Sequence, residues 1–92
     1  MEGLTIEVKP MNREEIFKLI IRHAQEVIPS LADYTFQPQD RLHDLGANSV
    51  DRAEILMLAL ESLSLNVQLV ELYGPNNIGE LADLLHEKAC AA

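Results

Sequence analysis

Asp44-Leu45-Gly46-Ala47-Asn48-Ser49-Val50-Asp51-Arg52-Ala53-Glu54-Ile55 is the stretch on which the reading of the whole chain turns. A glycine turn leads into one serine, and that serine opens an apolar-rich helix. Gly46 permits backbone conformations closed to residues with a side chain. Asn48 and Asp51, three residues apart, can cap the helix reciprocally. Ser49 falls in the first turn, where unpaired backbone N–H groups and the helix dipole favour an anion. A lone serine at such a place is ordinarily a capping residue. Here its hydroxyl is exposed, reachable by another enzyme, and has no obvious base beside it. Ser49 therefore reads as an attachment point, on which a phosphodiester would sit in a favourable field. Asp51 and Glu54 oppose that field somewhat, and offer an acidic rim to a basic partner.

Upstream, residues 1–11 read as an N-terminal tail. Thr5-Ile6-Glu7-Val8-Lys9 alternates like a strand, but a lone strand has no partner. Pro10 breaks the chain ahead of a helix. Asn12 caps that helix with Glu15, and Ile16, Leu19, Ile20, Ala24, Val27 and Ile28 recur at helical spacing until Pro29 ends it. Ser30 to Asn48 has no period yet holds Leu31, Tyr34, Phe36, Leu42 and Leu45. It is expected to be a long loop packed on the bundle, with room for a short helical turn; loops of this length tend to be functional or disordered.

The second helix is expected from Ser49 to about Leu63. On a wheel of 3.6 residues per turn, Leu56, Ala59, Leu60 and Leu63 share one face, and Asp51, Glu54, Glu61 and Ser62 the other. Val50 and Met57 fall at the edge, and Ile55 and Leu58 also lie outside the apolar centre. Either the packing encloses this helix more than one face allows, or part of it docks on partners. Asn66-Val67-Gln68-Leu69 is extended in character, and Val70 to Tyr73 suits one helical turn stopped by Gly74-Pro75. Asn77 with Glu80 makes a third cap, and Ile78, Leu81, Ala82, Leu84, Leu85 and Ala89 form the apolar side of a last helix to about Lys88. The organisation is one domain at 12–89, with residues 90–92 as a C-terminal tail.

The 92 residues allow a modest core, and 48% apolar content argues against wholesale disorder. A net charge of −8 repels phosphate backbones, so nucleic acid is not expected as a partner. No apolar run is long enough to span a bilayer and no signal-peptide pattern is present, so no membrane partner is expected. Cys90, the only cysteine, suits a reducing, cytoplasmic setting. Together with the acidic charge this fits a soluble monomer.

Enzymatic chemistry finds little support. A serine hydrolase needs a base, an oxyanion site and a Gly-x-Ser-x-Gly elbow. Gly46 stands three residues before Ser49 and no glycine follows; His43, six residues upstream, is a base whose contact with Ser49 the sequence leaves open. His23, His43 and His86 lack zinc-motif spacing, and Asp33, Asp40 and Asp44 do not match a calcium loop. They read as surface histidines and solvated carboxylates. Cys90 reads as an incidental thiol, with Lys88 offering only weak thiolate support. No catalytic residue and no metal site is assigned.

Asp44-Leu45-Gly46-Ala47-Asn48-Ser49-Val50 resembles the phosphopantetheine attachment motif of acyl carrier proteins, usually Asp-x-Gly-x-Asp-Ser-Leu. The resemblance covers about Asn12 to Lys88, including a last helix that opens Ile78-Gly79-Glu80-Leu81-Ala82. It implies an all-α fold, an acyl-carrier-protein-like right-handed bundle of three long helices and one short helix. It implies that a phosphopantetheinyl transferase, with magnesium assisting, joins 4'-phosphopantetheine to Ser49, and that the arm's thiol carries an acyl group as a thioester. The protein is then no enzyme. In the family the second helix is the main docking surface, which here maps onto Val50, Asp51, Glu54, Met57 and Glu61. Asn48 and Arg52 depart from the usual pattern, the first removing a negative charge before the serine, the second placing a positive one among the acids.

The run from Gly46 to Ile55 is similar to the free-standing donor carriers of polyketide β-branching cassettes. These deliver acetyl groups to an enzyme resembling 3-hydroxy-3-methylglutaryl-CoA (HMG-CoA) synthase. On that resemblance Asn48 and Arg52 are features the partner reads, since local charge separates similar carriers. Further implied partners are acyl-loading enzymes such as a ketosynthase, acyltransferase or decarboxylase. The alternatives are a general fatty-acid, polyketide or aminoacyl carrier, and an unmodified acidic helical adaptor.

Overall fold

The computed structural model describes residues 12–91. The strand-like alternation at Thr5–Lys9 and the break at Pro10 lie outside the described residues. Three α-helices, α1 (Arg13–Val27), α2 (Ser49–Ser62) and α3 (Ile78–Ala91), are joined by segments with three 3-10 turns, at Pro29–Leu31, His43–Leu45 and Leu69–Leu72. Among the described residues there is no strand. The expected all-α bundle is what is found, with the Leu69–Leu72 turn in the place of the short helix.

Helix α1 begins as its sequence dictates. The Asn12 side chain accepts from the Glu15 N–H at 2.8 Å, and Glu15 accepts from the Asn12 N–H at 2.9 Å. Ile16, Leu19, Ile20 and Ala24 are buried on one face. The helix closes at Ile28, whose N–H still reaches the Ala24 carbonyl, before Pro29 starts the first 3-10 turn. Helix α3 continues past the expected stop at Lys88 to Ala91. Ala89, Cys90 and Ala91 include no glycine or proline to halt it.

Helix α1 packs against both α2 and α3, whereas α2 and α3 make little direct contact with each other. The long loop from Ser30 to Asn48 fills part of the space between them. Leu31, Phe36, Leu42 and Ala47 are buried in the same core as Ile20, Ile55 and Leu85. The loop is also tied internally. Asp40 Oδ2 accepts from Tyr34 Oη at 2.9 Å and from the Gln37 N–H at 2.8 Å, and the Tyr34 and Phe36 rings meet edge to face at 5.0 Å. The Asp40 carboxylate holds the Tyr34 hydroxyl above its ordinary pKa, because it accepts the phenolic proton.

Two residues differ from expectation. Ile55, outside the apolar centre of the single-face wheel, is fully buried. Helix α2 is covered by α1 on one flank and by the Leu69–Leu72 turn on another, so its buried arc is wider than one face. His23, expected at the surface, is only 6% exposed. Its ring bridges helices, with Nδ1 2.8 Å from Glu26 Oε1 and Nε2 2.8 Å from Ser62 Oγ at the end of α2. Burial is tolerable because both nitrogens have partners.

Candidate functional site

The turn before α2 is built to deliver Ser49. The His43–Leu45 turn ends at Gly46, whose φ of 100° lies in the left-handed region that glycine enters at little cost. That reversal lets the Ala47 N–H donate to the Leu42 carbonyl at 3.1 Å and puts the Ala47 methyl into the core, 1% exposed. Asn48 follows in extended geometry as the N-cap. Its Oδ1 accepts from the Asp51 N–H at 2.7 Å, while Asp51 Oδ2 accepts from the Asn48 N–H at 3.3 Å. Ser49 is then the first residue of α2, exposed, between a methyl pinned in the core and a closed cap. The cap accounts for Asn48 and Asp51 as the sequence pairs them. Asparagine at this place forms both halves of the capping box.

The singled-out residues of α2 divide between two sides. Val50, Glu54, Met57 and Glu61 line one shallow groove on the outer face, with Ala53 and Leu58 between them. Val50 is 74% exposed and Met57 57%, high values for apolar side chains. Arg52 does not join them. It is half-buried and lines a separate cleft of about 380 Å³ together with Ser49 and Leu56. Positions 49, 52 and 56 share one face of a helix by spacing alone. Arg41 and His43 border the cleft from the loop, Leu72 and Tyr73 from the last 3-10 turn, and Ile78 and Leu81 from α3. The cleft thus lies between α2, the loop, the last 3-10 turn and the start of α3.

The α3 side of the cleft is fixed by the loop. The Ile78 N–H donates to the Asp40 carbonyl at 2.9 Å and the Gly79 N–H to the Pro38 carbonyl at 2.8 Å, so two first-turn donors of α3 are met by loop backbone. The third expected cap is present in altered form. Asn77 Oδ1 accepts from the Glu80 N–H at 2.7 Å, but Glu80 reaches back to the Asn76 N–H at 3.0 Å.

His43 and Ser49 border the same cleft, yet among the described residues no hydrogen bond joins them. Cys90 Sγ lies 3.6 Å from His86 Nε2, one turn back, rather than against Lys88, which pairs with Glu71. Sequence reasoning missed Arg41 and Tyr73 as neighbours of Ser49, since both reach it only through the tertiary fold. The alignment of Arg52 with Ser49 was present in their spacing, but Arg52 was read by charge among the acids instead.

Of the four serines in the chain, Ser62 is bonded to His23, Ser64 follows the end of α2 with a positive φ, and Ser30 lies within a 3-10 turn. Only Ser49 opens an α-helix. With no carboxylate among the described residues that line the adjacent cleft, the residues around it suit an anionic group on this oxygen. No described helix is long and apolar enough to cross a membrane.

Comparison with known proteins agrees with this geometry. Residues 19–85 match the family described as phosphopantetheine attachment site. The chain is 48% identical over 82 residues to the polyketide biosynthesis acyl-carrier-protein AcpK of Bacillus subtilis (strain 168), covering 89% of this chain and 100% of that protein. It also superposes, with a TM-score of 0.82 and 47% identity, on a chain in the crystal structure of the curacin biosynthetic pathway HMG synthase in complex with acetyl donor-ACP, covering 85% of this chain and all of that one. The chain belongs to the phosphopantetheine-attachment family of acyl carrier proteins, which bear 4'-phosphopantetheine covalently on a serine and are not themselves catalysts.

Proposed function

We propose that Ser49 bears the 4'-phosphopantetheine arm and that the chain delivers an acetyl group to an HMG-CoA-synthase-like enzyme in polyketide β-branching. The observation that carries the assignment of Ser49 is its place as the exposed first residue of α2, beside a cleft that no described carboxylate lines. The donor role is supported by the likeness at 47% identity to a chain crystallised with an HMG synthase.

When bound, the arm supplies a terminal thiol that holds the acyl group as a thioester. The chain's own residues hold and present it. Gly46 and the buried Ala47 fix the turn, the Asn48–Asp51 cap fixes the first turn of α2, and Ser49 stands exposed as its first residue. The outer face of α2, with the groove lined by Val50, Glu54, Met57 and Glu61 and with Asn48 and Asp51 at its start, is the docking surface. Its two exposed apolar side chains fit an apolar hollow rimmed by basic groups. A phosphopantetheinyl transferase and acyl-loading enzymes meet the chain at this same end.

Intact mass after incubation with coenzyme A and a broad-specificity phosphopantetheinyl transferase tests the attachment. A gain of one phosphopantetheine unit, lost in Ser49→Ala, is expected; no gain, or a gain that survives the substitution, rejects it. For the donor role, acetyl transfer from the loaded protein to a β-branching synthase is measured beside an ordinary carrier. Equal transfer from both would leave only a general carrier.

A further inference from the structure

His23, Glu26 and Ser62 form a side-chain relay that the Ser49 site does not use. His23 and Glu26 stand three residues apart on α1, a spacing at which side chains meet. Glu26 Oε1 lies 2.8 Å from His23 Nδ1. Ser62, 39 residues beyond His23 and the last residue of α2, places its Oγ 2.8 Å from Nε2 of the same ring. An ionised carboxylate only accepts hydrogen bonds, so the ring proton belongs on Nδ1 and the Nε2 lone pair faces the serine hydroxyl. Hydroxyl, base and orienting carboxylate thus follow one another within hydrogen-bond reach, the arrangement that activates a serine nucleophile on unrelated folds. Exposure matches these roles. The His23 side chain is 8% exposed, which shields Nε2 from water, while Ser62 is open to a reagent.

The surroundings limit what this hydroxyl does. A hydrolase also needs N–H donors aimed at the developing oxyanion. Here the Leu63 N–H donates to the Ala59 carbonyl, that of Ser64 to Glu61 and that of Leu65 to Leu60, so the three amides after Ser62 are engaged. The carbonyls and negative dipole end of a helix C-terminus also disfavour an oxyanion. We propose that Ser62 is an acyl-acceptor site: His23 activates its hydroxyl, Glu26 orients His23, and the serine takes one acyl group from an activated ester without turnover. Oγ attacks the donor carbonyl. An acyl–Oγ bond forms as the donor's acyl–sulfur or acyl–oxygen bond breaks, and the Oγ proton passes to Nε2 and then to the departing thiolate or phenolate. Acyl thioesters and aryl esters are activated enough for a site without oxyanion donors; amides are not. Ser62 and Ser49 stand at opposite ends of α2, and acylation of the one does not depend on what the other carries.

The test treats the full chain, with Ser49 unmodified, with p-nitrophenyl acetate at neutral pH. Release of p-nitrophenolate is followed, and the acetylated residues are located by intact mass and peptide mapping. The other exposed serines, Ser30, Ser49 and Ser64, are internal references. Ser62 should be acetylated about a hundredfold faster than they are, the lower end of what a positioned general base contributes. The fast phase should end at one acetyl group per chain. His23→Gln should abolish the advantage of Ser62, and Glu26→Gln should reduce it. Glu26 is 58% exposed, so its variant keeps the test open should the buried His23 substitution unfold the chain. Melting by circular dichroism on the same samples separates reactivity from fold, since a purely structural bridge would move the Tm and not the rate at Ser62. A Ser62 that reacts no faster than the other serines, or whose rate is unchanged in Glu26→Gln, would overturn the proposal. So would fast release well beyond one equivalent that is lost in Ser62→Ala, because the site would then turn over.

Discussion

The backbone N–H of Gly79 donates to the carbonyl of Pro38 at 2.8 Å, joining the first turn of α3 to the middle of the long loop. A Cβ on Gly79 would meet both the Pro38 Cβ and its carbonyl oxygen at 3.0 Å. The glycine is there because the loop backbone lies against the helix.

Gly79→Ala should therefore destabilise the protein. Helix propensity alone would favour alanine by about 0.5–1 kcal/mol. Overpacking against backbone costs about 1–3 kcal/mol, because Pro38 cannot swing aside as a flexible side chain would. A net loss of about 1 kcal/mol is expected, read as a Tm lower by several degrees in thermal unfolding. An unchanged or higher Tm would show that the loop yields freely.

His23 and Ser62 make a second link that can be weighed. Ser62→Ala removes the partner of Nε2 on a ring that is otherwise buried. An unsatisfied buried group costs about 1–3 kcal/mol. Ser62 itself is exposed, so water can reach the vacated place, and the expected loss is near 1 kcal/mol. Chemical denaturation of the variant checks this, and a loss under a few tenths of a kcal/mol would show that the bond adds nothing.

What could be read from the sequence was what depends on near neighbours. The caps Asn12–Glu15, Asn48–Asp51 and Asn77–Glu80 each join residues three apart, and Pro29 and Gly46 act on their own backbone. The exposed pair Val50 and Met57 was also legible, since both fall away from the apolar face by spacing. Ile55, His23 and Arg52 were not. Ile55 is buried because two elements cover α2, His23 because Ser62 comes from another helix, and Arg52 faces a cleft that exists only after Pro38 and Asp40 have pinned α3. A one-helix wheel contains none of those placements.

Asn48 separates capping from charge. Asn48→Ala should cost about 1 kcal/mol through loss of the N-cap. Asn48→Asp should keep the stability within about 0.5 kcal/mol of wild type, because aspartate caps equally well. If a partner reads the missing charge before Ser49, the Asp variant alone should change the rate of acetyl transfer to an HMG-CoA-synthase-like enzyme. Equal rates in Asp and Asn forms would remove Asn48 from the recognition surface.

Glu71 carries a small acid-sensitive contribution. Lys88 Nζ donates to its carboxylate at 3.1 Å, and this bond, aided by the Gln68 N–H, holds the carboxyl below its ordinary pKa. The folded state thus binds fewer protons at Glu71 than the unfolded chain in the acid range. Its contribution is present above about pH 5 and fades as pH falls through the lowered pKa. Both groups are partly exposed, so the effect is modest. Lys88→Met should lower the Tm at pH 7 slightly and bring the two proteins together near pH 3. A gap that persists at pH 3 would assign the loss to packing of the Lys88 stem.

The sharpest contrast on α2 is between Ile55 and Met57, two residues apart. Ile55 is fully buried, and Ile55→Ala should cost about 2–5 kcal/mol, enough to unfold much of a domain this small. Met57 is 57% exposed on the outer groove, so Met57→Ala should stay within about 0.5 kcal/mol of wild type. Glu54→Lys, on the same groove, should be equally mild in stability. Both Met57→Ala and Glu54→Lys should nonetheless weaken binding to the proposed HMG-CoA-synthase-like partner, the first by removing an apolar anchor and the second by reversing a charge. Titration of the loaded variants against that enzyme measures the loss, with circular dichroism melts run on the same samples. A Met57→Ala protein that melts much lower would make Met57 part of the core. One that melts normally and binds normally would move the docking surface off this face of α2.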